Sequence, residues 1–171
     1  VTVDPLNLRE LVSPHFSWSE LTTTQNRDPG IVVMQENPPE LIRTNLLRLA
    51  RTLLEPAHDL VGRLQVNSGY RCAQLNAALP GSSKTSAHML GLAADLVPLE
   101  QGLVEAFEAI AAAHLPALDQ LIFEFGRWAH LGAAPLGRAP RGQLLMIFTG
   151  GKYELWNPQD ERVTALREVV T

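Results

Sequence analysis

Only one of the 171 residues is cysteine, Cys72, so the chain can form no intrachain disulfide and no cysteine-based structural zinc site. Any metal must rest on histidine and carboxylates. Lysine is almost as scarce: Lys84 and Lys152 are preceded, three residues earlier, by Gly81 and Thr149, which excludes Ser-x-x-Lys chemistry. No His-Glu-x-x-His string occurs, which removes the thermolysin type of zinc site. Basic residues number 14 against 18 acidic, a net charge of −4, and form no block, so a general electrostatic grip on nucleic acid is disfavoured. No apolar run approaches the roughly 20 residues of a membrane span. The opening stretch VTVDPLNLRELVSPHF has acidic and polar residues where a signal peptide needs a basic stretch and an apolar run. The expectation is synthesis in the cytoplasm with no route of its own across a membrane. Repeats, low-complexity tracts and linkers are also missing.

What is there fits one soluble globular domain, with 46% hydrophobic and 19% charged residues. Residues 1–39 read as an N-terminal wrap of short helical signals broken by Pro14, Pro29, Gly30, Pro38 and Pro39, with Ser17 capping WSEL because Glu20 stands three residues on. From Glu40 to about Leu60, apolar residues recur at three and four, predicting an amphipathic helix that Pro56 should kink or split. LQVNSGY then reads as a strand entering a turn, RCAQLNAAL as a helix closed by Pro80-Gly81, GSSKTS as a polar loop and LAADLVP as a central strand. QGLVEAFEAIAAAH is a second clear helix. LDQLIFEF and WAHLGAA suggest strands joined by a tight turn at Gly126-Arg127. QLLMIFT and KYELW suggest a last hairpin around Gly150-Gly151. Asp160 to Val170 can form a helix with Val163, Leu166, Val169 and Val170 on one side. Helices first and strands later favour a single α+β domain, with a core over 40–158 and a C-terminal helix over 159–171.

Two of the five histidines have suggestive surroundings. His88 ends the polar loop in SAHMLGLAADL, and Asp95 follows seven residues later in an otherwise apolar strand. Buried alone, that carboxylate would cost several kcal/mol, so it needs a cation or strong donors. His130 is similarly placed, beside Trp128 and Leu131. Two histidines and an aspartate, with a fourth position open to water, make a workable catalytic zinc site. Read singly, each is equally a hydrogen-bonded structural residue. Cys72, in a helix after Arg71, reads as a small packed residue rather than a nucleophile.

The segments VNSGYRCAQLN, GSSKTSAHMLGLAADL and LDQLIFEFGRWAHLG resemble the three successive motifs of the zinc D-Ala-D-Ala carboxypeptidase family, the M15 peptidases. Within it they are most similar to the branch of phage endolysins and small cell-wall peptidases. Ser86, His88, Gly91, Ala93 and Asp95 match SxHxxGxAxD in full, in the right order relative to SGYR and WxH. The resemblance runs from about Phe16 to Leu145. It implies N-terminal helices packed on a small, mostly antiparallel sheet carrying one zinc ion, the D-Ala-D-Ala carboxypeptidase or hedgehog-like fold. It makes His88, Asp95 and His130 the zinc ligands, Arg71 the guanidinium that grips a substrate carboxylate, and Ser86 a residue that helps hold the substrate. Ser68, Tyr70 and Asn76 read as turn and packing residues.

The general base is less direct. Family enzymes often place an acid three residues before the last histidine ligand, where this chain has Arg127. The nearest acid is Glu124. A strict two-residue turn would point it away from His130, whereas a three-residue loop would pair it with Trp128 on the His130 face. We take Glu124 with the longer loop, and hold Asp119 in reserve. The resemblance then implies hydrolysis of an amide in peptidoglycan stem peptides or crosslinks by a monomeric bacteriolytic enzyme. With no export signal, such an enzyme reaches the wall after phage-mediated opening of the membrane. The alternative is a non-catalytic zinc module of the same fold that binds cell-wall peptide or a protein, an alternative kept open by Arg127.

Overall fold

The computed structural model describes residues 7–167. Its N-terminal part is helical, but the prolines act differently from the expectation that they break helices. Pro14 and His15 turn a small hairpin between β1 (Leu11–Ser13) and β2 (Phe16–Ser17), two strands absent from the sequence-based expectation. Ser17 then caps α1 (Trp18–Thr22): its hydroxyl accepts from the Glu20 N–H, and the Glu20 carboxylate accepts from the Ser17 N–H at 2.8 Å. Pro29 and Gly30 begin a helix instead of breaking one. Asp28 caps α2 (Pro29–Glu36) through the Gly30 and Ile31 N–H groups, and Pro29 fills the first turn, where a missing N–H costs nothing.

The long amphipathic stretch is divided as Pro56 leads one to expect. α3 (Glu40–Leu49) passes through a π-helical turn, Ala50–Leu54, into α4 (Glu55–Val61). The Glu55 N–H reaches the Ala50 carbonyl, five residues back, and this wider turn falls where the ring of Pro56 would collide with a regular helix. Leu46, Leu49, Leu53, Leu54 and Ala57 stay fully buried across the bulge.

Six strands make one sheet: β3 (Leu64–Ser68), β4 (Ala93–Pro98), β5 (Leu118–Glu124), β6 (Trp128–Ala133), β7 (Gln143–Ile147) and β8 (Glu154–Leu155), in the order β3-β4-β6-β5-β7-β8. Every neighbouring pair is antiparallel except β5 and β7. The last hairpin is looser than a tight Gly150-Gly151 turn. Phe148 leaves the strand to pack against Phe123, so β7 stops at Ile147 and a loop, 148–153, precedes the short β8.

Strand alternation sorts the side chains between two faces. Ala94, Leu96, Leu121, Phe123, Ala129, Leu131 and Met146 are buried in the core, with Phe107 and Ile110 of the helix Leu103–Ala112 and Val163 of the helix Glu161–Arg167. The expected extension of the last helix to Val169 and Val170 lies outside the described residues. The result is a single α+β domain, helices covering one face of a mostly antiparallel sheet. Asp95, His130, Ile122, Glu124 and Trp128 share the other face.

Candidate metal and catalytic site

Register assembles the site across four strands. Ser68 pairs with Asp95, Asp95 with His130, and His130 with Ile122, so the aspartate and second histidine are direct neighbours on adjacent strands. His88 arrives from outside the sheet, on a 3-10 turn, Ala87–Leu90, that follows the polar loop. Gly91 ends the turn at φ 64°, and a Cβ there would lie 2.9 Å from the Ile42 carbonyl oxygen. Only glycine lets the chain double back there into β4 against α3.

His88, Asp95 and His130 are all buried, at 1%, 7% and 8% exposure. His88 Nε2 lies 3.2 Å from Asp95 Oδ1 and 3.2 Å from His130 Nδ1, and the remaining edge, His130 Nδ1 to Asp95 Oδ1, is 2.9 Å. The Nδ1 of His88 meets the Gly69 carbonyl oxygen at 2.7 Å. A carbonyl only accepts, so Nδ1 carries the proton and a neutral His88 presents a lone pair at Nε2 to the carboxylate. Two acceptors then face each other, and a cation among the three atoms turns that conflict into ligation. Bonds of ~2.0–2.1 Å at tetrahedral angles would put zinc donors ~3.3 Å apart, close to the spacing found. The residues fit a zinc ion. Burial depresses the pKa of His88 and keeps it neutral against the pull of Asp95. Burial acts to raise the pKa of Asp95, and positive charge beside it, on the imidazoles or on a cation between them, lowers it below the usual carboxylate range.

A second cluster, His15, Glu55 and His58, lies near α4. Its imidazoles stack face to face at 3.7 Å and 14°, so their in-plane lone pairs run in parallel planes and do not converge on an ion.

Arg71 enters from the turn after β3. Its Nη2 is 3.8 Å from Asp95 Oδ2, and its buried Nε has no hydrogen-bond partner among the described residues. Burial lowers the guanidinium's pKa, while Asp95, Glu124 and Tyr153 oppose the shift. The turn is clamped by Gln35, a fully buried residue of α2 that the sequence reading missed. Its amide donates to the Tyr70 carbonyl and accepts from the Cys72 N–H at 2.8 Å, bracketing Arg71. Gly69 presses on α1, where a Cβ would lie 2.4 Å from the Leu21 carbonyl oxygen. Tyr70 and Asn76 are buried packing residues as expected, and Cys72 sits in the core.

The β5–β6 connection follows the longer of the two loops considered. Glu124 pairs with Trp128, the Arg127 N–H bonds to the Glu124 carbonyl at 2.9 Å, and Phe125 and Gly126 both take left-handed φ, 57° and 67°. Glu124 therefore lies on the His130 face, and Trp128 Nε1 donates to its Oε2 at 3.0 Å. Burial pushes the Glu124 pKa up; Asp95 adds to this, and His130, Trp128 and Arg71 offset part of it. Arg127 is exposed at the loop and does not line the cleft. The reserve, Asp119, is ruled out by its place: it points away from the cleft and is held by Arg141, with Oδ1 accepting from the Arg141 N–H at 3.0 Å.

These groups line a cleft of about 900 Å³ together with Ser86. The Ser86 hydroxyl does not cap its own 3-10 turn. Arg71 is the only Lys or Arg side chain lining the cleft among the described residues. Tyr153 also lines it, from loop 148–153; the sequence reading missed this residue because it took KYELW as plain strand.

Comparison with known proteins bears on the same residues. No curated protein matches the chain. Residues 14–132 match the family Peptidase M15, a span that contains Arg71, Ser86, His88, Asp95, Glu124 and His130 and ends within β6. With most of its length in that match, the chain belongs to the Peptidase M15 family, a family of metallopeptidases.

Proposed function

We propose that the protein is a zinc peptidase that hydrolyses an amide bond in peptidoglycan stem peptides or crosslinks, with His88, Asp95 and His130 as the ligands of one zinc ion. The observation that carries this reading is the convergence, on one open sheet face, of a buried three-donor metal group with a half-buried carboxylate, Glu124, and a half-buried guanidinium, Arg71. A zinc ion in such a site supplies Lewis acidity, which acidifies water and polarises a carbonyl. Glu124 would take the proton of the attacking water and hand it to the leaving amine, and its raised pKa suits a group that must both accept and return a proton. Trp128 fixes one carboxylate oxygen and leaves the other for that work. Arg71, charged and with an Nε that has no partner among the described residues, would pair with a substrate carboxylate, and Ser86 would supply a further hydrogen bond. The resemblance to small cell-wall peptidases extends this to a bacteriolytic, endolysin-type role at the cell wall.

The test is to incubate zinc-loaded protein with purified peptidoglycan and measure new free amines, with mass spectrometry of the products. Release abolished by chelator and by His88→Ala is the expected result, and the product masses distinguish carboxypeptidase from endopeptidase cleavage. Binding to peptidoglycan with no release by the zinc-loaded protein would sink the peptidase reading in favour of a binding module. Lysis of permeabilised Gram-negative cells by the wild type but not by His88→Ala tests the endolysin-type role.

A further inference from the structure

We propose that Tyr153 is a catalytic residue of this site, its phenol donating a hydrogen bond to the scissile carbonyl oxygen as negative charge develops there. This rests on the peptidase reading above. Tyr153 lies beyond the 14–132 span of the family match, yet it lines the cleft that holds Arg71, Glu124 and His130. Its place is not explained by packing, since the residue is 60% exposed.

The chain on both sides of it is anchored. The adjacent Glu154 pairs with Arg162 through two hydrogen bonds of 3.1 and 3.0 Å. The same guanidinium stands 4.5 Å from the centre of the Phe148 ring, at the far end of the loop. Trp156, two residues past Glu154, packs on Phe107 and Phe123 at 4.2 and 5.3 Å. A glycine-tipped loop is thus held at each end, and the tyrosine it carries lines the cleft that holds the reacting groups. Its partial burial, with the charges of Glu124 and Asp95, raises its pKa while Arg71 acts to lower it, so the hydroxyl is a donor at neutral pH. Trp128 Nε1, a neutral donor beside the base, is already engaged by Glu124.

In the reaction, water oxygen bonds to the carbonyl carbon and the C=O pair moves onto oxygen. That pair then returns, the C–N bond breaks, and the amine leaves with the proton carried by Glu124. Tyr153 keeps its own proton throughout. Its hydrogen bond is strongest when the oxygen is charged, so its contribution falls on kcat.

The experiment compares zinc-loaded wild type with Tyr153→Phe, which keeps the ring and removes the donor. On purified muropeptide dimers, kcat should fall on the order of 10²-fold. KM should stay within about threefold. Zinc content and thermal midpoint should not change. A second arm needs no turnover: acetohydroxamate, titrated calorimetrically, should bind the variant about tenfold more weakly, the loss of one hydrogen bond to a charged oxygen. A kcat within about threefold of wild type, a loss confined to KM, or an unchanged acetohydroxamate affinity would each overturn the proposal. If the zinc-loaded wild type cleaves no muropeptide, the peptidase reading fails, and the acetohydroxamate arm still decides whether the phenol reaches the site.

Discussion

His88 donates its Nδ1 proton to the carbonyl oxygen of Gly69 at 2.7 Å, which ties the first metal-ligand candidate to the turn that presents Arg71. The His88 carbonyl in turn accepts from the Arg71 N–H at 3.1 Å. Orientation of the imidazole and placement of the guanidinium are therefore one structural problem. Replacing Gly69 by alanine drives a methyl group into the Leu21 backbone and must shift the turn. Loss of a partner that orients a metal-binding histidine typically weakens affinity about 10–100-fold. Gly69→Ala should show that loss in a zinc competition titration against a chelator, and an affinity equal to wild type would refute the linkage.

Metal should also stabilise the fold. Without a cation, the donor atoms of His88 and Asp95 oppose each other at 3.2 Å in a buried site. A ligand at about 1,000 times its Kd stabilises the folded state by about 4 kcal/mol. For a chain of this size that is a rise in Tm on the order of 10 °C. Scanning calorimetry of zinc-loaded and chelator-treated protein checks this, and identical midpoints would count against a metal site.

Much of this site was legible because it is local in sequence or periodic in strands. Asp95 stood out as a charge in an apolar strand, and the two possible lengths of the 124–128 loop already framed the question of where Glu124 faces. The structure selects the loop that turns it toward His130, at the cost of a left-handed Phe125 that sequence does not announce. Gln35 was invisible for a different reason: its partners are the backbone groups of Tyr70 and Cys72, and only tertiary packing brings α2 to them. Tyr153 was hidden by Phe148, which abandons the strand for the core and so lengthens the loop. Pro29 is ambiguous in sequence because proline both ends helices and begins them, and the Asp28 cap decides between the two.

The hydrogen bond from Trp128 to Glu124 predicts a pH effect. The base must be a carboxylate, so activity falls as pH drops through the Glu124 pKa, which burial sets above the usual glutamate value. The Trp128 donor favours the charged form and lowers that pKa. Trp128→Phe removes it, so the pKa rises further and the acidic limb of kcat/KM should move to higher pH. Metal content measured across the same range separates this from ligand loss. A limb that stays in place, or moves to lower pH, would contradict the assignment of Glu124.

Gln35 gives the sharpest separation of fold from site. Its amide answers a carbonyl on one side of Arg71 and an N–H on the other, and it is itself 1% exposed. Truncation to alanine leaves both backbone groups buried without partners, at about 1–3 kcal/mol each. For a chain of this length, 1 kcal/mol moves the midpoint by roughly 2–4 °C, so Gln35→Ala should lower Tm by several degrees. The freed turn no longer holds Arg71 over the cleft, so substrate affinity should weaken as well. Zinc affinity should change less than in Gly69→Ala, because the contact between Gly69 and His88 is left in place. A variant with wild-type Tm and KM would show that the clamp neither stabilises the turn nor positions its arginine.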